Sequence, residues 1–476
     1  MKPLLIGGEW VTTSHALPNV NPSDVSDIVD VHAQAGRSEA EAAIAAASAA
    51  APAWGRTDPQ TRSDILHRAG EEVLRRSDEL GRLLAREEGK VLRDAIAEVA
   101  RAGRILRYFA GEPLRTGGQF LPSVRPGVNI EITREPVNVV GIITPWNFPM
   151  AIPAWKIAPA LAWGNTVVFK PAELAPGCAW ALADILQRAG LPAGVLNLLT
   201  GPGSVVGQTM LDDARVDAIS FTGSQSTGAR VMAASAPLQR KVQLEMGGKN
   251  PLVVLDDADL DRAVAAAVDG AYFSTGQRCT ASSRLIVTER IHDRFVSAVA
   301  ERLSGLRTGH ALEESTDIGP VVDEAQLRID EAAIARARAQ GGSLRVGGDR
   351  VTQATEGFFL SPALITETTS DMAINREEVF GPVASVIRVR DYDEALATAN
   401  DTDFGLCAGI CTESLKYASD FKCNARAGMV MVNLPTAGVD YHVPFGGTRA
   451  SSFGPREQGA FAAEFYSTVK TAYTAS

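Results

Sequence analysis

A regular alternation of short apolar runs and longer amphipathic stretches, beginning near Pro136, constrains this chain more than any other sequence feature. The apolar runs predict buried strands at 137–144, 166–169, 195–199, 218–221, 252–255, 284–287, 383–389, 406–411 and 429–432. The stretches between them predict helices, among them 151–162, 176–189 and those starting at Ser226, Asp259 and His292. Strands that alternate with helices of about 10–15 residues indicate a doubly wound, mostly parallel α/β sheet. A second series of alternating strands and helices begins at Asn250-Pro251.

The segments outside that alternation show other sequence patterns and predict other secondary structure. The N-terminal third is predicted to be helical, with apolar residues at helical spacing in 38–53, 61–76 and 91–110. A Gly/Pro-rich break at 117–127 is followed by 128–133, which alternates like a strand pair. The tail, 465–473, reads as a lone strand without a hairpin partner. We therefore expect it to pair with a distant segment or with another subunit.

Charge and cysteine content exclude several classes of protein. The net charge of −10 argues against nonspecific nucleic-acid binding, which needs a surplus of Lys and Arg. Five cysteines, an odd number at irregular spacing, do not form a disulfide framework and fit a reducing compartment. We find neither a signal peptide nor an apolar stretch near the ~18 residues of a membrane helix. These features predict a soluble cytosolic protein that does not bind membranes.

The sharpest local signal is the segment Ser274-Thr-Gly-Gln-Arg-Cys-Thr-Ala281. It places Cys279 in a Gly-containing turn between a helix and a strand, where backbone N–H groups can face a developing oxyanion. Arg278 beside it would favour the thiolate. The alternative is a buried structural cysteine, which is the interpretation we give to Cys178, Cys407, Cys411 and Cys423. Cys407 and Cys411 lack nearby His or Cys partners, so no metal site is expected.

Two further polar residues sit at predicted strand ends. Glu245 lies between an apolar strand and a Gly-Gly turn, where a partly buried carboxylate of raised pKa could activate water for an acyl-enzyme. Asn147, in the turn Thr144-Pro-Trp-Asn-Phe-Pro149, could offer its amide N–H to an oxyanion. The alternatives are a solvated loop glutamate and an ordinary turn asparagine.

A possible phosphate-binding turn follows another strand. Phe221-Thr-Gly-Ser-Gln-Ser-Thr-Gly228 has glycines that would let the backbone approach a pyrophosphate at a helix N-terminus. It is not the full Gly-x-Gly-x-x-Gly fingerprint, because Gln225 stands at the middle glycine. Lys170 and Glu173, after the strand that ends at Phe169, could hold ribose hydroxyls. A plain strand-to-helix turn and a surface charge pair are the alternatives.

Taken together, these segments resemble the NAD(P)-dependent aldehyde dehydrogenase superfamily over essentially the whole chain. The matching motifs occur in order along the sequence: Pro145-Trp-Asn-Phe148, Lys170-Pro-Ala-Glu173, Phe221-Thr-Gly-Ser224, Leu244-Glu-Met-Gly-Gly-Lys249, Gly276-Gln-Arg-Cys279, Glu377-Glu-Val-Phe-Gly-Pro382, Pro444-Phe-Gly-Gly447 and Arg456-Glu457. The resemblance implies an aldehyde dehydrogenase-like α/β fold. This comprises a Rossmann-type cofactor domain (1–118 and 137–249), a catalytic domain (250–456) and a small β arm for oligomerisation (119–136 and 457–476).

The resemblance also implies a chemical role for each matched residue. Cys279 would attack the aldehyde, Asn147 and the Cys279 N–H would hold the oxyanion, and Glu245 would activate water against the thioester. Lys156 and Glu457 would form a proton relay, and Lys170 would be a further catalytic candidate. The implied cofactor-binding residues are Thr144, Pro145, Trp146, Lys170, Ala172, Glu173, Gly203, Gly207, Phe221, Thr222, Gly223, Ser224, Gly247, Glu378 and Phe380. Members that transfer the acyl group to coenzyme A typically lack a glutamate at position 245, so water is the expected acceptor.

Substrate, cofactor and assembly are further expectations from the resemblance. The segments 272–284 and 433–443 look most like those of dehydrogenases that oxidise α-ketoglutarate semialdehyde (2,5-dioxopentanoate). Trp155, Arg278 and Thr280 would contact substrate, with Arg278 a candidate for its carboxylate or else a structural residue of the loop. NAD is the expected cofactor, because Glu173 should repel a 2′-phosphate, and NADP is also possible. A homodimer or homotetramer is expected.

Three alternative functions are weighed against this one. The first is a succinate semialdehyde or broad-specificity aldehyde dehydrogenase. The second is a non-catalytic binding protein on the same scaffold, which would be expected to lack the nucleophile or the base. The third is a thiol-based redox sensor, which would require a resolving cysteine near Cys279, and none is close in sequence.

Overall fold

The computed structural model describes residues 1–475, and its opening residues form strands rather than helices. These strands are β1 (Leu4–Ile6), β2 (Glu9–Val11), β3 (Ala16–Asn21) and β4 (Asp24–Ala33). β3 and β4 pair only with each other, whereas β1 and β2 join a larger sheet. The prediction of a wholly helical N-terminal third is therefore wrong for this segment. Two register shifts in the β3–β4 ribbon break the period-2 alternation by which a strand is recognised in sequence.

A layer of helices follows these strands. It consists of α1 (Arg37–Trp54), α2 (Pro59–Arg75), α3 (Ser77–Glu88), α4 (Leu92–Ala110) and the short α5 (Glu112–Arg115). The three helices predicted from apolar spacing are confirmed to within two residues at each end. The inner face of α4 is buried and apolar, except for Glu98. That face packs against α2 and α3 and against a later helix, α6 (Ala151–Ala162).

The first large sheet contains the doubly wound pattern predicted from the sequence. Its parallel strands are β7 (Val139–Ile143), β8 (Thr166–Lys170), β9 (Leu196–Leu198), β10 (Ala218–Thr222) and β11 (Lys241–Glu245). Its helices, besides α6, are α7 (Pro176–Arg188), α8 (Gln208–Asp212) and α9 (Gln225–Ser235). β8 and β9 lie on one side of β7, and β10 and β11 lie on the other. The strand order therefore reverses between β7 and β10, which is where open α/β sheets bind ligands.

The second large sheet is formed by the second α/β series. Its strands are β12 (Pro251–Val254), β13 (Arg284–Thr288), β14 (Ser343–Val346), β15 (Ala363–Thr366), β16 (Val383–Val389), β17 (Cys407–Cys411) and β18 (Met429–Val432). Its helices are α10 (Leu260–Tyr272), α11 (Glu289–Ser304), α12 (Glu324–Ala339), α13 (Ala373–Arg376), α14 (Tyr392–Asn400) and α15 (Leu415–Asn424). All pairings are parallel except that of β14 with β15. Buried apolar clusters cover both faces.

A three-stranded arm, formed by β5 (Gln119–Pro122), β6 (Val128–Pro136) and β20 (Ser467–Ala475), makes a separate sheet. β6 is one strand, not the strand pair predicted there. The tail strand β20 follows the short α16 (Ala463–Tyr466) and pairs antiparallel with β6 from Ser467 opposite Pro136 to Ala475 opposite Val128. The predicted pairing of the tail with a distant segment is therefore confirmed.

The remaining strand links the end of the chain to the first sheet. β19 (Ser452–Phe453) pairs antiparallel with β11, although its residues lie in the range predicted for the catalytic domain. The division into three domains stays a prediction. Within residues 1–475, no helix has the length and apolar character that a membrane crossing requires.

Candidate active site

Cys279 lies in a tightly wound loop between α10 and β13, as predicted. Three successive residues before it, Ser274, Thr275 and Gly276, have left-handed backbone with φ of 51°, 57° and 65°. A Cβ on Gly276 would lie 2.2 Å from the Gly381 carbonyl oxygen, so only glycine fits there. The Asn250 amide donates to the carbonyl oxygens of Cys279 and Ala281 at 2.8 and 2.9 Å. These contacts fix the cysteine at the end of the turn.

The Cys279 thiol is half-buried and acidic groups surround it. Burial, and to a lesser extent the carboxylates of Glu378, Glu245 and Glu457, together raise its pKa to about 12. The charges of Arg278 and Cys279 do attract each other, but burial and the carboxylates outweigh that attraction in the net pKa of the thiol. The free protein therefore holds a protonated thiol that becomes nucleophilic only when a base or a positive charge approaches.

Asn147 is buried in the turn between β7 and α6, and its side chain reaches the cysteine loop. Its amide nitrogen donates to the Gln277 carbonyl oxygen at 2.9 Å. One amide hydrogen is thereby used, and the second remains available to an oxyanion. Lys90 Nζ donates to the Asn147 carbonyl oxygen at 2.7 Å and to Glu98 at 2.5 Å. The orientation of this turn thus depends on a buried ion pair.

The other oxygen of Glu98 supports the same turn. It accepts hydrogen bonds from the backbone N–H groups of Met150 and Ala151, both at 3.1 Å. These donors stand at the start of α6, where a helix leaves N–H groups unsatisfied. Glu98 and Lys90 were not singled out from the sequence. The sequence did contain one signal, because Glu98 lies on the otherwise apolar, core-facing side of α4. A buried charge needs a nearby partner, so this position indicated one.

Glu245, the last residue of β11, is buried with one well-defined partner. Its Oε2 accepts a hydrogen bond from Ser452 Oγ at 2.5 Å. A Cβ on Gly446 would lie 2.7 Å from Oε1, so a glycine at that position leaves the carboxylate its space. Burial raises the pKa of Glu245 well above its ordinary value, and the negative charge of Glu457 adds to the effect. Burial and the nearby negative charge therefore both favour the protonated carboxyl over the carboxylate.

The two residues predicted as a proton relay contact each other. Lys156 and Glu457 form a buried ion pair, and Lys156 Nζ also donates to Ser220 Oγ at 2.8 Å. Glu457 Oε2 has no hydrogen-bond partner among residues 1–475. Since the Glu457 charge acts on both Glu245 and Cys279, the pair lies close to both groups. The roles of these residues stay predictions.

The residues predicted to hold the dinucleotide gather at the carboxyl ends of the first sheet's strands. The Thr144 N–H donates to the Lys170 carbonyl oxygen at 3.2 Å, which joins the ends of β7 and β8. A Cβ on Gly203 would lie 3.8 Å from Lys170 Cε, so the turn Gly203–Gly207 faces that lysine. Lys170 Nζ donates to the Pro171 carbonyl oxygen at 2.7 Å. Ala172 is half-buried and Glu173 is exposed beside them.

The turn after β10, predicted to bind phosphate, joins the strand to α9 through hydrogen bonds within the protein. The Ser224 hydroxyl caps α9 by accepting from the Thr227 N–H at 3.4 Å, and the Gly223 N–H donates to the Glu245 carbonyl oxygen at 3.0 Å. Phe221 is buried under the turn. The hydroxyls of Thr144 and Thr222 are buried without a hydrogen-bond partner in the described chain. They flank the point where the strand order reverses, and such orphaned donors fit a bound dinucleotide.

On the opposite side of the crevice, Glu378 and Phe380 lie against other residues predicted to bind the cofactor. The Gly248 N–H donates to Glu378 Oε1 at 2.8 Å, and burial raises the pKa of Glu378 to about 7. A Cβ on Gly247 would lie 1.9 Å from Glu378 Oε2. Phe380 packs edge-on against Trp146 with centroids 5.5 Å apart, next to Pro145.

The three predicted substrate residues differ in how free they are to bind. The Trp155 ring is 5.6 Å from that of Phe445, and Cys279 packs against the apolar cluster that contains Phe445 and Cys407. Arg278 instead donates to the carbonyl oxygens of Asp269 and Gly270 at the end of α10. Thr280 is buried, and its carbonyl oxygen accepts from Thr436 at 2.6 Å. The geometry thus favours the structural alternative for Arg278.

Comparisons with known proteins find similar chains over nearly the whole length. The sequence profile of the aldehyde dehydrogenase family matches residues 10–472. The α-ketoglutaric semialdehyde dehydrogenase of Bacillus subtilis is 42% identical over 98% of this chain and 97% of its own. The α-ketoglutarate semialdehyde dehydrogenase of Haloferax volcanii is 43% identical over 98% of each chain. A crystal structure of the betaine aldehyde dehydrogenase of Staphylococcus aureus with NAD+ is 33% identical, has a TM-score of 0.97, and is matched over 100% of this chain and 95% of that one.

Proposed function

The chain belongs to the aldehyde dehydrogenase family, and we propose that it oxidises α-ketoglutarate semialdehyde to α-ketoglutarate with NAD+. As a member of that family it is an NAD(P)-dependent aldehyde oxidoreductase. The observation that carries the choice of substrate is the full-length similarity to α-ketoglutarate semialdehyde dehydrogenases of two organisms. The choice of NAD+ is supported by its presence in the similar crystal structure.

In the proposed reaction Cys279 is the nucleophile. Its sulfur bonds to the aldehyde carbon while the thiol proton leaves, and the carbonyl oxygen becomes an oxyanion. Bound NAD+ supplies the acceptor for the hydride that this carbon then loses, and its positive ring charge opposes the carboxylates around the thiol. The expected holding residues are those gathered around Lys170, Ser224 and Glu378.

Asn147 stabilises the oxyanion in this proposal, together with the backbone N–H of Cys279. Its placement is supported by the hydrogen bond to the Gln277 carbonyl oxygen, which holds the amide against the cysteine loop. A donor fixed before the reaction needs no reorganisation when the charge develops, so its contribution to rate is large. The Lys90–Glu98 ion pair, which holds the turn, supports Asn147 without contacting the substrate.

Glu245 is the proposed base that releases the acid. It takes a proton from water, the hydroxide adds to the thioester carbon, and the carbon–sulfur bond breaks to regenerate the Cys279 thiolate. Lys156 and Glu457 are the proposed path by which that proton leaves, since their ion pair lies beside the base in the interior. The presence of a glutamate at position 245 supports water, not coenzyme A, as the acyl acceptor.

A kinetic comparison of aldehydes tests the proposed substrate. We expect kcat/KM for 2,5-dioxopentanoate to exceed the values for succinate semialdehyde, betaine aldehyde and pentanal by about tenfold or more. The physical reason is that specificity is a difference in transition-state binding, and tenfold corresponds to ~1.4 kcal/mol. Each aldehyde is assayed with NAD+ and with NADP+ at equal concentration. A higher value for succinate semialdehyde or for the neutral aldehydes would transfer the assignment to those substrates.

Replacement of Asn147 by alanine is expected to lower kcat for the preferred aldehyde by about 10²–10³, because one oxyanion donor is lost. NADH formation measured at saturating aldehyde checks this result. The control is Asn424→Ala, which removes an exposed amide at the end of α15. Activity of the Asn147 variant near that of the unmodified protein would remove this residue from the mechanism.

We also propose that the protein is a cytoplasmic homodimer or homotetramer. The arm supports the assembly, because it leaves large apolar side chains exposed at Phe120, Leu121, Val469 and Tyr473, and such patches mark protein interfaces. The cytoplasm is supported by the cysteines, which are all unpaired. Light scattering of the purified protein gives the number of subunits.

A further inference from the structure

Arg101, on α4, has a guanidinium group without a hydrogen-bond or ion-pair partner in the described chain. It forms no hydrogen bond and no ion pair with any residue in 1–475, and its Nε is buried. Arginine keeps its charge in proteins and carries five N–H donors. Arg101 as a whole is half-buried, and of its guanidinium nitrogens only Nε is buried without a partner. The terminal N–H groups are therefore free to bind an anion.

The position of this guanidinium relates it to the reacting cysteine. Its central carbon lies 5.9 Å from the centroid of the Trp155 ring. That ring packs on Phe445, which belongs to the apolar cluster that Cys279 contacts. The charge of Cys279 is among those that act on Arg101. Arg101, Trp155 and Phe445 thus form one continuous wall that leads to the sulfur.

No acidic group of the protein neutralises this cation. Two carboxylates act on it, those of Glu98 and Asp440. Glu98 is already bound to Lys90 and to the N-terminus of α6. Asp440 is exposed on the segment between β18 and β19 and forms no ion pair with Arg101. The guanidinium donors are therefore free for an anion from outside the protein.

We propose that Arg101 binds the carboxylate of the substrate and so selects aldehydes that carry an acid group. This inference rests on the proposed function, because it assigns a recognition residue to the same site. In an extended 2,5-dioxopentanoate the carboxylate and aldehyde carbons are separated by four C–C bonds, or about 5 Å. The methylene groups would lie along Trp155, and the planar guanidinium would take both carboxylate oxygens.

Arg278, the carboxylate-binding candidate suggested by the sequence, is less suited to this role. Its guanidinium donates to the carbonyl oxygens of Asp269 and Gly270, which close the end of α10. Binding a carboxylate through those donors would break the contacts that shape the loop before Cys279. Arg101 has no such contacts to lose.

The test compares acid and neutral aldehydes of equal length in matched arginine variants. The variants are Arg101→Met and Arg101→Lys, with Arg104→Met, an exposed position one turn along α4, as the control. The measured quantity is the ratio of kcat/KM for 2,5-dioxopentanoate to that for pentanal, and likewise for succinate semialdehyde and butanal. We expect Arg101→Met to lower these ratios about 10- to 100-fold. Arg101→Lys should restore part of the loss, and Arg104→Met should leave the ratios unchanged.

The outcomes separate this inference from the proposed substrate. If the unmodified protein prefers succinate semialdehyde and Arg101→Met abolishes that preference, the substrate assignment fails and the inference holds. If 2,5-dioxopentanoate is preferred but Arg101→Met lowers acid and neutral aldehydes equally, the substrate stands and the inference fails. Inhibition by glutarate, an unreactive dicarboxylate, gives a second readout, and equal inhibition of the unmodified and Arg101→Met proteins would also overturn the inference.

Discussion

Replacement of Cys279 by alanine is expected to abolish aldehyde oxidation, lowering kcat by at least about 10⁴. The loss is this large because a hydride leaves readily only from a tetrahedral carbon, and without the sulfur that carbon does not form. The methyl group should leave the loop intact, since the Asn250 contacts are made to backbone oxygens. NADH formation with the preferred aldehyde measures the loss.

The control for that result separates chemistry from folding. Cys423→Ala removes an exposed thiol on α15 and should retain full activity. Calorimetry should show NAD+ binding to both variants with similar affinity, since neither thiol is among the residues expected to hold the dinucleotide. An active Cys279→Ala variant would eliminate the covalent mechanism.

Replacement of Glu245 by glutamine should block the second half of the reaction and spare the first. We expect a rapid burst of about one NADH per active site, followed by a steady rate about 10²–10⁴ lower than that of the unmodified protein. Glutamine retains the shape of the carboxyl group but accepts no proton from water. Stopped-flow absorbance resolves the two phases, and Glu301→Gln, at an exposed position on α11, is the control. Loss of the burst itself would place Glu245 in the first half instead.

The pH dependence of kcat is a second test of the role of Glu245. Because the pKa of Glu245 is raised, its inactive protonated form dominates below that pKa, and kcat should rise as pH increases through it. The glutamine variant should lose this ascending limb. The burst rate reports instead on Cys279, whose pKa of about 12 also predicts an increase with pH.

Efficient acyl transfer to coenzyme A would contradict the assignment of water as acceptor.

Helices and strands whose apolar residues follow one regular period could be predicted from the sequence, and those whose period is interrupted could not. The buried strands β7 and β8 and the helix α4 appear in the structure close to their predicted bounds. The β3–β4 ribbon was missed because register shifts disrupt its alternation. α12, β14 and β15 fall in a stretch for which no element was predicted, and the strands there have only four residues each.

The site residues that lie in distinctive sequence motifs could be predicted, and those that reach the site only through helix packing could not. Cys279, Asn147 and Glu245 stand at loops and strand ends whose local sequence is distinctive. Glu98 and Arg101 reach the site through the packing of α4 on α6, and nothing in their local sequence indicates that contact. A tertiary contact of this kind depends on the angle between two helices, which one-dimensional patterns do not encode.

Residues that follow the parallel strands of both large sheets complete structures begun far earlier, and this affects how the protein matures during synthesis. Ser452, Glu457 and the nine residues of β20 are made after those strands, yet they support Glu245, pair with Lys156 and close the arm on β6. Domains generally fold from the N-terminus as they are made. A nascent chain can therefore form the parallel strands of both large sheets while Glu245 still lacks its hydrogen bond from Ser452.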